Sequence, residues 1–183
     1  MNDSKIPVRY ARALFQTALD NQVLDVIESD VRKLMALCRE SDDFMVFLQS
    51  SVIRKSKKAA LLNEIFSDRV HPLTMRFLLL LTENRREDKL PDICRDLIDL
   101  VRDHKGITPV TVTTAMPMNQ ELRSNISDYL TVKTGRKIEL SERVQPGIIG
   151  GLILRIGDLQ FDGSIIRQLR KVRESLLNRE VIG

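Results

Sequence analysis

Residues 144–164 read V-Q-P-G-I-I-G-G-L-I-L-R-I-G-D-L-Q-F-D-G-S, and they limit what the second half of the chain can form. Pro146, Gly147, Gly150, Gly151, Gly157 and Gly163 surround an apolar run over 148–156. Glycine inside such a run marks a bulge or a place where another backbone comes close. The spacing predicts a turn over 144–147 and then a strand. On that strand Ile148, Leu152, Leu154 and Ile156 share a face, with Gly150 in line between them. Gly157-Asp158 predicts a tight hairpin and 159–161 a short return strand. Asp162 or Ser164 is placed to cap a last helix bearing Ile165, Leu169, Val172 and Leu176. A phosphate-loop reading of Gly147-x-x-Gly150-Gly151 fails on chemistry. Such loops follow a strand and open a helix, often with Lys-Ser or Lys-Thr, whereas these glycines lead into a strand.

Upstream, residues 108–114 read T-P-V-T-V-T-T, β-branched with period two, which is a strand signal. A helix is predicted over 118–134 with Leu122, Ile126, Tyr129 and Leu130 on one face, ended by Gly135. Residues 136–144 alternate again through Ile138 and Leu140. The pattern changes at Gly106, so the boundary is set there, giving units 1–105 and 106–183.

The first unit reads as six helices. Pro7 suits a first helical turn, and Tyr10, Ala11, Leu14, Phe15, Ala18 and Leu19 follow at helical spacing. Val23, Ile27, Val31, Leu34 and Cys38 define a second amphipathic helix. Ser41-Asp42-Asp43 caps a short third carrying Phe44, Phe47 and Leu48. The fourth begins near Lys55 and is expected to bury Ala60, Leu61, Ile65 and Phe66, with Arg54, Lys55, Lys57 and Lys58 in water. His71-Pro72 opens a fifth helix through Met75, Phe77, Leu78, Leu79, Leu80 and Leu81. That helix is apolar nearly all round, so it is central or lends one face to a partner. Leu90, Ile93, Cys94, Leu97, Leu100 and Val101 mark the sixth. The fold class is mainly α: an N-terminal six-helix bundle plus a small α/β C-terminal domain.

The 183 residues are 43% hydrophobic and only 4% aromatic, without Trp, so the core must be Leu, Ile and Val. A net charge of +4 suits an acidic partner, a membrane surface or RNA without choosing among them. The longest apolar run, 77–81, falls far short of the ~20 residues that span a bilayer. Residues 1–8 have no apolar core like a signal peptide. Cys38 and Cys94 read as reduced core thiols, and the chain reads as cytosolic or held at a cytosolic face by a partner. His71 and His104 have no ligand cluster at metal spacing. No catalytic, cofactor-binding or metal-ligating residue is assigned, and the chain is read as a non-enzyme.

Three basic clusters, at 54–58, at Arg85-Arg86, and at Arg167, Arg170, Lys171 and Arg173, lack stacking aromatics. A small helical RNA-binding adaptor, acting through charge alone, is the runner-up function. An enzyme using Cys38, Cys94 or His71 is a third. More informative is a first helix left flat by Ala11, Ala13 and Ala18 beside an over-apolar fifth. If the two pack side by side they leave a groove suited to an amphipathic helix; the alternative is that both faces are simply buried in the bundle.

Three stretches carry a family resemblance. They are Tyr10-Ala11-Arg12-Ala13-Leu14-Phe15; Asn84-Arg85-Arg86 followed by Leu90-Pro91-Asp92-Ile93; and 138–157 with Val144, Ile148, Gly150-Gly151-Leu152, Leu154-Arg155 and Gly157, continuing to Asp158 and Asp162-Gly163-Ser164. In order and spacing the chain resembles the delta subunit of F-type ATP synthases, called the oligomycin-sensitivity-conferring protein in mitochondria. Gln145 and Gly147 depart from the pattern where Asp and a larger residue are common.

The resemblance implies a non-catalytic stator subunit. It would tether the alpha–beta catalytic head to the peripheral stalk during proton-driven ATP synthesis, as one copy per complex. It implies that 1–105 binds the head, 106–183 binds b-type stalk subunits, and no nucleic acid or cofactor is bound. The chain would sit at the cytoplasmic face of the bacterial inner membrane, reaching the membrane only through the complex. The alpha subunit's N-terminal helix would enter a groove between the first and fifth helices, for which Tyr10, Ala11, Leu14, Ala18, Phe77, Leu78 and Leu81 are the candidates. Gly150, Gly151, Leu152, Arg155, Gly157, Asp162 and Ser164 are the structural family motif.

Overall fold

The computed structural model describes residues 5–180, with side chains through 174; Leu176 of the last-helix stripe and half of the 1–8 segment lie outside them. The chain divides into two units between His104 and Lys105. The first is helical: α1 Lys5–Asp20, α2 Leu24–Glu40, α3 Asp42–Gln49, α4 Lys55–Phe66, α5 Pro72–Glu83 and α6 Leu90–His104. α6 packs against both α1 and α2. It buries Leu90, Ile93, Cys94, Leu97, Ile98 and Val101, a broad stripe at helical spacing. The centre of the bundle is therefore α6. α5 buries Thr74, Met75, Phe77, Leu78, Leu81 and Thr82, packs closest on α4, and leaves Leu80 45% exposed.

Polar contacts fix both ends of α5. The buried Asp30 carboxylate on α2 accepts from His71 N–H at 2.7 Å and from Thr74 Oγ1 at 3.0 Å. At the other end Lys55 Nζ donates to the Glu83 carbonyl at 2.6 Å. A carboxylate at the N-terminus and an ammonium at the C-terminus both complement the helix dipole. Beyond α5, Lys58 Nζ donates to Glu87 Oε1 at 2.5 Å and to the Leu48 carbonyl at 2.7 Å.

That pair corrects the expectation for α4. Lys58, read as solvent-facing, is only 3% exposed, while Ala60 and Ile65, read as core, are exposed and Leu61 is half-buried. The buried line is Lys58, Leu62 and Phe66, one residue every four. Glu87 supplies the counter-charge that lets a lysine occupy it. Ser41 caps α3 as expected, its Oγ accepting from Phe44 N–H at 3.2 Å. Both cysteines are free thiols.

The second unit contains β1 Ile107–Thr114, α7 Gln120–Thr134, β2 Lys137–Val144, β3 Leu152–Ile156, β4 Leu159–Asp162 and α8 Ile165–Glu180. The sheet order is β2-β1-β3-β4, with β1 parallel to β2 and the other pairings antiparallel. Register sets Val110 beside Leu140 and Ile156, and Val112 beside Leu154. Ile126 and Leu130 of α7 and the preceding Met118 complete this core. Leu122 and Tyr129, expected on the buried face, are exposed, because α7 lies on the sheet along the line of Ile126 and Leu130. α7 also starts two residues later than the pattern suggests. Asn119 caps it by accepting from Leu122 N–H at 2.8 Å, while Met118 N–H is taken by Glu142 at 2.6 Å.

Ile148 and Gly150 do not lie on a strand. Residues Pro146–Ile148 form a 3-10 turn that buries Ile148, and Ile149 and Gly151 take φ values of 67° and 74°. A strand cannot pass through two left-handed residues, so β3 begins only at Leu152. This corner meets the entry to α8: Gly163 N–H donates to the Leu152 carbonyl at 3.0 Å and Ile165 N–H to that of Gly150 at 3.0 Å. A Cβ on Gly151 would run into the Gly163 carbonyl oxygen, whereas one on Gly150 would meet only the Ile165 side chain. Ser164 caps α8, its Oγ accepting from Arg167 N–H at 3.4 Å. Asp162 braces it by accepting from Ser164 Oγ at 2.6 Å and Ser164 N–H at 3.0 Å, bonds that hold its carboxyl below the usual range. Beyond the cap, Ile165, Leu169 and Val172 form an exposed apolar stripe on α8.

Gly151→Ala should destabilise the second unit by at least about 2 kcal/mol, since left-handed backbone alone costs other residues ~1–3 kcal/mol and the clash adds to it. Gly150→Ala only displaces the Ile165 tip and should cost about 1 kcal/mol or less. Equal losses in urea unfolding would refute this account of the corner. Lys58→Met leaves a buried carboxylate whose Oε2 already lacks a donor among the described residues. It should cost about 3–5 kcal/mol, and adding Glu87→Leu should recover most of that in a double-mutant cycle.

Candidate functional site

Between α1 and α5 runs an open trough. α1 contributes Arg9, Tyr10, Ala13, Leu14 and Thr17; α5 contributes Leu73, Arg76, Phe77 and Leu80, with Asn84 just beyond it. Both sets recur at helical spacing, so each helix presents one continuous line to the gap. The cavity is about 420 Å³. Tyr10 and Phe77 meet edge to face, with ring centroids 6.3 Å apart.

The gap follows from where each helix is buried. α1 packs closest on α6 and its core line is Pro7, Ala11, Leu14 and Ala18. Small residues on that line let the two axes come near. α5 leans on α4. Apart from the Tyr10–Phe77 contact the space is open, and Ala13 leaves the α1 wall low.

The seven predicted groove residues divide accordingly. Tyr10, Leu14 and Phe77 line the trough. Ala11, Ala18, Leu78 and Leu81 point into the core and are almost fully buried. Their periodicity is right, but the α1 face is rotated by about a quarter turn, because a four-residue spacing fits the core line and the groove line equally well. The reading missed Arg9, Ala13, Thr17, Leu73, Arg76, Leu80 and Asn84 as wall residues. A usable signal was present in Ala13, a small residue flanked by two others, and in Leu80, one leucine too many in a saturated run.

The trough can hold an apolar helix face. From Arg9 to Thr17 it follows α1 for roughly 12 Å at 1.5 Å per residue, or about two turns. Its walls offer no nucleophile or metal-binding set. The cysteines are elsewhere, and burial pushes the Cys38 thiol up to about 11 and the Cys94 thiol further. His71 caps α5 by accepting Leu73 N–H at its Nδ1, 3.2 Å away, and His104 lies edge-on to Phe15 with ring centroids 5.7 Å apart. Among the described residues no three His, Cys, Asp or Glu cluster as a metal site.

The motif residues of the second unit all build backbone. Gly150 and Gly151 form the corner, Leu152 pairs with Thr114, Gly157 turns the hairpin, and Asp162 and Ser164 cap α8. Arg155 Nε donates across the hairpin to the Gly157 carbonyl at 3.3 Å.

A family profile described as ATP synthase delta (OSCP) subunit matches residues 6–176. The ATP synthase subunit delta of Symbiobacterium thermophilum is 32% identical over 180 residues, covering 98% of this chain and 97% of that protein. That of a Geobacillus species is 35% identical over 178 residues, covering 97% and 99%. In fold, a chain of the Toxoplasma gondii mitochondrial ATP synthase hexamer superposes with a TM-score of 0.73 at 23% identity, covering 94% of this chain and 97% of that one.

If the trough is open in solution, Leu80→Glu, at 45% exposure, should change stability by less than about 1 kcal/mol. Leu78→Glu, at 2% exposure, should cost more than about 4 kcal/mol and melt the bundle. Equal damage from the two in thermal melts would mean that the trough is closed.

Proposed function

The chain belongs to the ATP synthase delta (OSCP) subunit family, and on that footing we propose that it is the non-catalytic stator subunit of an F-type ATP synthase. It ties the alpha–beta catalytic head to the peripheral stalk, so that the head stands still while the rotor turns during proton-driven synthesis. One observation carries the reading: the apolar trough between α1 and α5, which no side chain among the described residues fills. Its occupant is the amphipathic N-terminal helix of an alpha subunit, held by unit 1–105. Tyr10, Leu14 and Phe77 form the floor, with Leu73 and Leu80 added to the original candidates.

Unit 106–183 engages the b-type stalk subunits. Support for a second contact surface comes from the exposed Ile165, Leu169 and Val172 on α8 and Leu159 and Phe161 on β4. Among the described residues no helix is long and apolar enough to cross a membrane, so in this reading one copy reaches the cytoplasmic face of the inner membrane through the complex. The high thiol pKa values weigh against thiolate catalysis.

Two interfaces in series must resist torque, so each needs slow dissociation more than fast association. An ordinary interface buries roughly 800 Å² per partner. Calorimetry should show the isolated chain binding a peptide of the cognate alpha subunit's N-terminal ~20 residues. Leu80→Glu should weaken that binding more than about tenfold by forcing a charge against the apolar face. Unchanged affinity, or purification from membranes without alpha, beta and stalk subunits, would refute the proposal.

A further inference from the structure

The rims of the trough carry one sign of charge. Arg9 stands on the α1 rim and Arg76 on the α5 rim. Past Asn84 the trough opens into a second hollow lined by Lys5, Ile6, Arg9, Tyr10, Asn84 and Arg86. Four cations therefore border the two spaces, and no Asp or Glu lines either one.

Elsewhere in the bundle several cations are paired with carboxylates, although Arg12, Arg39, Arg54, Lys57, Arg69 and Arg85 have no carboxylate partner among the described residues. Arg32 sits on Glu28, Lys58 on Glu87, Lys89 on Asp88, Arg95 on Asp92 and Arg102 on Asp99. A larger hollow between α3, α4 and the turn after α5 is also basic, but there Lys55, Lys58 and Lys89 are already engaged. Lys5, Arg9, Arg76 and Arg86 have no carboxylate partner among the described residues.

We infer that the trough selects its occupant by charge: it takes an amphipathic helix whose apolar stripe is flanked on both sides by Asp or Glu. Arg9 and Arg76 read the two flanks, and Lys5 and Arg86 read the end that overhangs Asn84. This inference rests on the helix-groove reading and adds what distinguishes the occupant from other apolar helices. Like-signed rims repel a helix flanked by Lys or Arg, so selection works by repulsion as well as attraction. Complementary rim charges act chiefly on the rate of encounter, and salt screens them.

The probe is a pair of synthetic 22-residue amphipathic peptides with the same apolar stripe, one flanked by Glu and the other by Lys, titrated against the full chain. The Glu peptide should bind about tenfold or more tightly at low salt. That preference should shrink toward unity at about 0.5 M salt. Arg9→Glu/Arg76→Glu should reverse it, with circular dichroism confirming the fold. Leu80→Glu separates the two readings. If both peptides bind equally and Leu80→Glu weakens both, the groove stands and charge selection is overturned. If Leu80→Glu affects neither, the peptides bind elsewhere and the groove reading falls as well. Failure of the Glu peptide to bind would also overturn the inference.

Discussion

α5 is held by its ends, and the first unit is arranged around that constraint. A helix reading P-L-T-M-R-F-L-L-L-L-T-E would ordinarily sink into a core on every side. Here its first turn is anchored by the buried carboxylate of Asp30 and its last by the ammonium of Lys55. Each contact matches the helix dipole and is worth about 0.3–1 kcal/mol, more where partly buried. The Lys58–Glu87 pair fixes the turn that follows. An apolar pair could hold that junction as strongly. The ion pair adds direction, because Lys58 must also reach the Leu48 carbonyl. None of these contacts uses the face carrying Arg76 and Leu80, which is left free.

α1 meets the matching constraint from the other side. Its core line and its groove line share Leu14 and otherwise diverge, with Ala11 and Ala18 inward and Ala13 outward. Because α1 rests on α6 and α5 on α4, the space between them is bridged chiefly by the Tyr10–Phe77 contact. In the second unit the governing constraint is steric. The backbone before β3 passes so close to the entry of α8 that Gly151 has room for no side chain. The exposed apolar stripe of α8 begins immediately after that crossing.

The six helices, the strand–helix–strand order of β1, α7 and β2, and the hairpin were legible because each follows from local periodicity and punctuation. Legibility failed wherever a partner distant in sequence determines the outcome. Lys58 looks like a solvent-facing lysine until Glu87, 29 residues away, comes beside it. Asp30 sits in an ordinary amphipathic pattern, and nothing local ties it to His71, 41 residues on. Ile148 and Gly150 look like strand residues because a left-handed φ at Ile149 has no residue-type signature. For the trough, composition pointed to the two helices between which the hollow lies. Its face could not be chosen, since Ala11 and Ala13 are alike as residues and differ only in which neighbour they meet.

A chain of this size gains stability by covering apolar surface at roughly 25 cal/mol per Å². A larger residue at Ala13, or a polar one at Leu80, would close or wet the trough without touching the core. The free protein would tolerate either change, so its own folding does not account for an open, largely apolar trough. The same holds for Ile165, Leu169 and Val172 on α8. Each unit thus keeps apolar surface that its own packing could have removed. In the proposed reading, burial of that surface by partners contributes to assembly instead of to the stability of the monomer. In the proposed tether reading, two such surfaces on separate units leave each unit to be completed by its own partner.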